Sequence, residues 1–339
     1  MGNAIDRYLD GLYESAPRRL SVSRAMETGM PLHLWRGELR SALVSALGEW
    51  PDAVALNVRE LSRTQRPGHT RVKLTYDSEP GLSTAAYLLI PDGIQGKRPA
   101  VVACTGHGYG CRDIVGLNED FTERDGGQPT YQKDFGLALV KRGFVVLAPE
   151  PLGFGEMMLA GDQGNSCHRL SQNLLLVGRT MIGARTQQHI AAVTLLSQLP
   201  EADAGRIGAM GISGGGLDAA FLAMLDPRVR ALVCSGYACR YRESIWGLFH
   251  CVDNFAPGLM NLAENADLMA LVAPRPMLWE SGSRDPIFPR AGVEAAQAEV
   301  AAVYRALHAE SDFAVDYFEG EHEISGRLAY DFLASRLGA

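Results

Sequence analysis

The sequence predicts an α/β fold built on a mostly parallel, twisted sheet with helices on both faces. Three observations carry this expectation. From residue 98 onward, short continuous apolar runs, which suit strands buried on both faces, alternate with segments of helical periodicity. Between residues 56 and 90 the pattern is one of short alternating runs separated by Pro-Gly and Pro-Asp-Gly turns, which reads as antiparallel strands at the N-terminal edge. A length of 339 residues, with 47% hydrophobic and 21% charged, suits one large α/β unit with extensions.

Residues 1–50 read as a helical N-terminal extension. Leu39, Ala42, Leu43, Ala46 and Leu47 recur at helical spacing, and Pro51 ends the run. Its apolar face, which includes Tyr8, Leu9, Leu12, Tyr13 and Trp35, must be covered by the same chain or by a second subunit. The second option makes a homo-oligomer the expected state. Residues 51–339 are expected to form the catalytic domain. Edge strands fall at 72–76 and 85–90. Parallel strands fall at 100–104, 144–148, 207–212, 229–234, 276–279 and 313–318. The helical candidates are 135–141, 185–199, 216–225, 291–308 and 328–337.

In such sheets the ligand crevice lies outside the carboxyl ends of the strands. Three long connections, 111–134, 156–184 and 238–268, leave that rim and are expected to wall a pocket. The third carries Trp246, Phe249, His250, Phe255 and Met260, an apolar set suited to lining it. His107, after the first parallel strand, is a further pocket candidate.

The composition excludes several function classes. A formal charge of −7 argues against non-specific binding to nucleic acid or an acidic membrane. The longest apolar runs fall far below the roughly 18 residues of a membrane span. The first twenty residues contain acids and lack the apolar block, about 7–15 residues long, of an export signal. The six cysteines form no C-x-x-C pair, so reduced thiols in a cytoplasmic protein are expected. Zinc-type spacing is absent, and neither a metal nor a cofactor is implied.

The chemistry-bearing residues follow from their context. Gly211-Ile212-Ser213-Gly214-Gly215 is the only G-x-S-x-G in the chain, and it lies between a predicted strand and a predicted helix. A strand-to-helix turn there forces the serine into a strained conformation and aims its hydroxyl into the crevice. A serine hydroxyl needs a base, and the base needs an orienting carboxylate. Asp285, held extended by Pro286, follows the strand at 276–279, with Glu280 and Asp253 in reserve. His322 follows the strand at 313–318. Two backbone N–H groups must then hold the oxyanion. Gly214 supplies one. The other is assigned to Tyr109 in the glycine-rich loop 105–110, with Gly108 in reserve.

These segments carry a resemblance. The loop His107-Gly108-Tyr109, the strand GFVVLAPE at 143–150, the elbow GISGGG at 211–216, APRPML at 273–278 and Ser283-Arg284-Asp285 together resemble the α/β-hydrolase superfamily. Within it, the chain is most similar to the dienelactone-hydrolase-like and acetyl esterase branch, over residues 98–337. The resemblance implies the α/β-hydrolase fold and a serine esterase acting on a small-molecule ester without cofactor. Branch members with dienelactone activity use a cysteine nucleophile, whereas Ser213 stands here, which favours ester hydrolysis. An amidase or peptidase, a dienelactone-type hydrolase and a non-catalytic binding protein are the alternatives.

Overall fold

The computed structural model describes residues 3–339. Among the described residues the strands join in one nine-stranded sheet. In chain order they are β1 (Arg59–Arg66), β2 (His69–Glu79), β3 (Leu82–Pro91), β4 (Arg98–Cys104), β5 (Val145–Pro149), β6 (Ala202–Ile212), β7 (Val229–Ser235), β8 (Met277–Gly282) and β9 (Phe313–Phe318). Their spatial order is β1-β2-β3-β5-β4-β6-β7-β8-β9. The ladders from β5 through β9 are parallel, and β1 to β3 form an antiparallel meander joined to β5. This is the α/β-hydrolase fold. No helix among the described residues is long and apolar enough to cross a membrane.

The helices are α1 (Ala4–Ser15), α2 (Val22–Glu27), α3 (Leu32–Ala46), α4 (Phe135–Val140), α5 (Cys167–Leu176), α6 (Met181–Gln198), α7 (Gly214–Leu225), α8 (Asn265–Met269), α9 (Arg290–Ala306) and α10 (Ala329–Leu337). They divide between two cores. On one face of the sheet, α4 and α10 contribute Phe135, Leu139, Leu333 and Leu337. On the other, α3, α6, α7 and α9 build the larger core with Trp35, Leu39, Val193, Phe221 and Val300.

The N-terminal helices divide in the same way between burial and exposure. Trp35, Leu39 and Leu43 on α3 are fully buried in the main core, and Trp35 Nε1 donates to Leu20 O at 2.8 Å. On α1 only Tyr13 is buried, while Tyr8, Leu9 and Leu12 stay exposed.

Topology places the site. The chain leaves β4 toward β5 on one side, then returns to β6 on the other side of β4. The loops after β4 and β6 therefore diverge, and a crevice opens between them at the carboxyl ends. The long connections above it are built, not structureless. Residues 156–184 contain α5 and the first turn of α6, which starts at Met181 rather than near 185. Residues 238–268 contain three short 3₁₀ turns and α8. The 111–134 segment is pinned by a buried ion pair. Arg124 and Asp113 pair at 3.3 Å with both side chains buried, and Thr130 and Gln132 bond the same carboxylate.

Candidate active site

Ser213 occupies the single residue between β6 and α7, with φ 58° and ψ −125°. For a residue with a Cβ this is a strained conformation, held only where the surroundings dictate it. The flanking glycines show what dictates it. A Cβ on Gly211 would lie 2.1 Å from Gly215 O, and one on Gly215 would lie 2.0 Å from Cys104 O. Strand, turn and helix therefore approach more closely than any side chain allows. The Ser213 N–H is anchored on Ser235 O at 3.0 Å.

His322 lies on the loop after β9, and its Nδ1 is 2.8 Å from Asp285 Oδ2. Asp285 is buried in the loop after β8. Its second oxygen accepts the N–H groups of Ile287 and Phe288 at 2.9 and 3.0 Å. Glu280 and Asp253 are engaged elsewhere. Glu280 accepts the Ser235 hydroxyl at 2.6 Å and the Gly326 N–H at 2.8 Å, and burial pushes its carboxyl up to about 7. Asp253 pairs with Arg185 at 2.8 Å.

The imidazole of His322 lies between two rings. Phe288 stacks on one side at 5.6 Å and 18°, and Tyr131 stacks at 5.6 Å and 22°. Gly236, at φ 51°, leaves the room: a Cβ there would lie 2.9 Å from His322 Cε1. The other imidazole nitrogen, Nε2, is buried and has no hydrogen-bond partner among the described residues.

Ser213, Gly214 and His322 line one cavity of about 390 Å³ together with His107, Tyr131, Phe249, His250, Cys251, Asn254, Ile287 and Phe288. The volume falls in the range of small-ligand sites. Three of the residues expected to line the pocket, His107, Phe249 and His250, are among these. Trp246 and Phe255 are not. The turns of the 238–268 segment carry them to a neighbouring apolar groove of about 330 Å³ against α1, where Trp246 meets Tyr13 edge-on at 5.6 Å.

The Tyr109 side chain does not line the cavity. It turns away into the 111–134 segment, its hydroxyl bonding Leu117 O at 3.3 Å and the Tyr109 carbonyl accepting from Arg112 at 2.9 Å. The residue of that loop that meets the elbow is His107, whose Nδ1 would lie 2.9 Å from a Cβ on Gly214. Just before it, a Cβ on Gly106 would lie 3.3 Å from Ser213 Cβ. The Gly106 N–H is spent on Gln132 Oε1 at 2.8 Å, and Tyr131 Oη holds the His107 carbonyl at 2.7 Å. The register follows from β4 ending at Cys104, two residues before the contact with the Ser213 turn. Tyr131 and Phe288 carried no motif in the sequence. Phe288's position three residues after Asp285 was the available signal.

The model of the Abhydrolase family matches residues 18–301. The chain belongs to the Abhydrolase family. This family member is similar to YtaP of Bacillus subtilis (strain 168), a protein named as a hydrolase, with 28% identity over 272 residues, covering 79% of this chain and 88% of YtaP. Among solved structures it is similar to a protein named as an acetyl xylan esterase from Bacteroides fragilis NCTC 9343, with TM-score 0.77 and 18% identity over 94% of this chain and 83% of the other. It is also similar to a glucuronoyl esterase from Solibacter usitatus, with TM-score 0.69 and 14% identity over 95% and 97% of the two chains. At these identities the structural likenesses report the shared fold.

Proposed function

We propose that the chain is a serine hydrolase that cleaves small carboxylic esters through an acyl-enzyme. The observation that carries this reading is the strained Ser213 sharing one cavity with the free Nε2 of an Asp285-bound His322. The names of the similar structures, both esterases, support it.

In this reading Ser213 Oγ attacks the ester carbonyl as His322 Nε2 takes its proton, and Asp285 steadies the imidazolium through Nδ1–H. The carbonyl oxygen becomes an oxyanion. We assign its donors to the N–H groups of Gly214 and His107, in place of Tyr109. The Gly214 N–H is the first of α7 and has no intrahelical acceptor. The proton on Nε2 passes to the leaving alcohol. Water, deprotonated by His322, then cleaves the acyl-enzyme and restores Ser213.

The aromatic lining from Tyr131, Phe249 and Phe288 and the bounded volume suit a short acyl group. Bounded apolar pockets discriminate by about 1–3 kcal/mol per methylene.

Ser213→Ala tests the reading. Turnover of p-nitrophenyl acetate should fall by about 10⁴–10⁶ with an unchanged far-UV spectrum, and a fluorophosphonate should label the parent but not the variant. Activity within tenfold of the parent would remove Ser213 as nucleophile. Rates should decline along a p-nitrophenyl series from acetyl to palmitoyl, and a maximum at decanoyl or beyond would overturn the substrate size. A faster rate on the matching anilides would favour an amidase.

A further inference from the structure

Directly behind the loop that carries His107, four side chains converge from three separate segments. They are His107 after β4, Cys167 at the start of α5, and Cys251 and Asp253 in the 238–268 segment. One ligating atom from each lies within 4.8 Å of all the others. A tetrahedral zinc ion, with bonds of about 2.0–2.3 Å, sets its ligand atoms about 3.2–3.8 Å apart. The distance of 3.5 Å between His107 Nε2 and Asp253 Oδ2 already falls in that range. His107 directs Nδ1 toward Gly214 and the pocket, leaving Nε2 on the cluster side, buried and without a hydrogen-bond partner.

Arg185 pairs with Asp253 and approaches Cys167, and the buried Asp218 carboxyl lies adjacent. Both Asp218 oxygens are buried on α7 and make no hydrogen bond among the described residues. With both thiols ionised, Cys167, Cys251 and Asp253 are neutralised by one divalent ion together with the Arg185 guanidinium.

The supporting donors are also in place. Arg185 Nη2 lies 3.1 Å from Cys167 Sγ, Arg185 Nη1 lies 2.8 Å from Asp253 Oδ2, and Asn254 Nδ2 donates to Asp253 Oδ1 at 2.9 Å. Such outer donors orient thiolate and carboxylate ligands in metal sites.

We propose that His107, Cys167, Cys251 and Asp253 bind one divalent ion of the thiolate-preferring, zinc-like class. Four protein ligands make this a closed, structural site rather than one with an open position for catalysis. It ties α5 and the 238–268 segment to the loop beside Ser213, fixing His107 against Gly214. The proposal stands apart from the esterase reading, since its readout is metal binding.

The test is titration of the reduced, full-length chain with Co²⁺. One equivalent should produce thiolate-to-cobalt charge transfer and the visible bands of tetrahedral cobalt, both removed by Zn²⁺. Cys167→Ser and Cys251→Ser should each abolish the charge transfer. Asn254→Ala should weaken cobalt binding about 10–100-fold. A measurement on the parent alone guards against misfolded variants: Zn²⁺ should slow modification of the half-buried Cys251 by a thiol reagent at least about tenfold. Absence of charge transfer at stoichiometric cobalt would overturn the site. So would thiol reactivity indifferent to zinc, or a purified chain two hydrogens lighter from a Cys167–Cys251 disulfide.

Discussion

Replacing Asp285 by Asn changes one atom at the position that orients the proposed base, and the structure dictates how the new amide must sit. Asp285 Oδ1 accepts two backbone N–H groups, from Ile287 and Phe288. If the amide nitrogen took that place, two buried donors would face a third and lose their acceptor, at about 1–3 kcal/mol each. The amide oxygen therefore stays there, and the NH₂ group takes the place of Oδ2, 2.8 Å from His322 Nδ1. Nδ1 must then accept, which moves the imidazole proton to Nε2, the nitrogen that should receive the serine proton. The fold is kept and the tautomer is wrong. The expected loss in kcat is on the order of 10⁴, about 5 kcal/mol of barrier, with KM little changed. Steady-state kinetics on p-nitrophenyl acetate, with melting curves alongside, measure both. Adding Asp285→Asn to His322→Ala should cost little more, because the pair acts as a unit. An Asp285→Asn variant within tenfold of the parent, or additive losses in the double variant, would refute the argument.

Three further outcomes follow from the geometry. Gly236→Ala should cut turnover well over tenfold while the protein stays folded, because its Cβ would lie 2.9 Å from His322 Cε1 at a φ of 51°; unchanged kinetics would show that the imidazole position is not critical. Glu280 carries a pH dependence of known sign: burial raises its carboxyl from 4.5 to about 7 in the fold, so its contribution to stability is complete below about 4.5 and is lost as pH rises through about 7. Relative to the parent, Glu280→Gln should therefore gain stability between about pH 5 and pH 8, up to about 3 kcal/mol, and parallel melting-temperature profiles would contradict this. Trp35→Ala, at a fully buried core position with its indole N–H bonded to Leu20 O, should cost about 3–5 kcal/mol by denaturant unfolding; a cost below about 1 kcal/mol would mean that α3 is dispensable to the core.

The central parallel strands β4 and β5 were legible because they are buried on both faces and so are apolar without interruption, as in Val101-Val102-Ala103 and Val145-Val146-Leu147. Strand β1 was not marked as a strand of its own. Its sequence, RELSRTQR, has no apolar period, since it is exposed almost throughout and exists through its ladder with β2. Ser213, Asp285 and His322 stood out because each follows a recognisable strand. The proximity of Gly106 to Ser213 and of His107 to Gly214 depends on a loop register that the sequence does not encode. The meeting of His107, Cys167, Cys251 and Asp253 left no local spacing to read, because it is made by three segments far apart in the chain. Trp246 and Phe255 had the right composition for a pocket, but side-chain direction in a loop is set by turns that composition does not encode.

The two rings that enclose His322 have different origins. Tyr131 comes from the end of the long 111–134 segment and Phe288 from the connection between β8 and α9, and both also face the cavity. In the proposed mechanism, specificity and catalysis therefore share components. A mutation that reshapes the pocket through either ring also disturbs the imidazole, so new substrate preferences reached by that route should begin with a deficit in rate. Phe249 offers a freer path, since it lines the cavity while standing 96% exposed. Directed evolution of substrate range should accumulate changes at Phe249 first, with Tyr131 and Phe288 yielding only later and in compensated pairs.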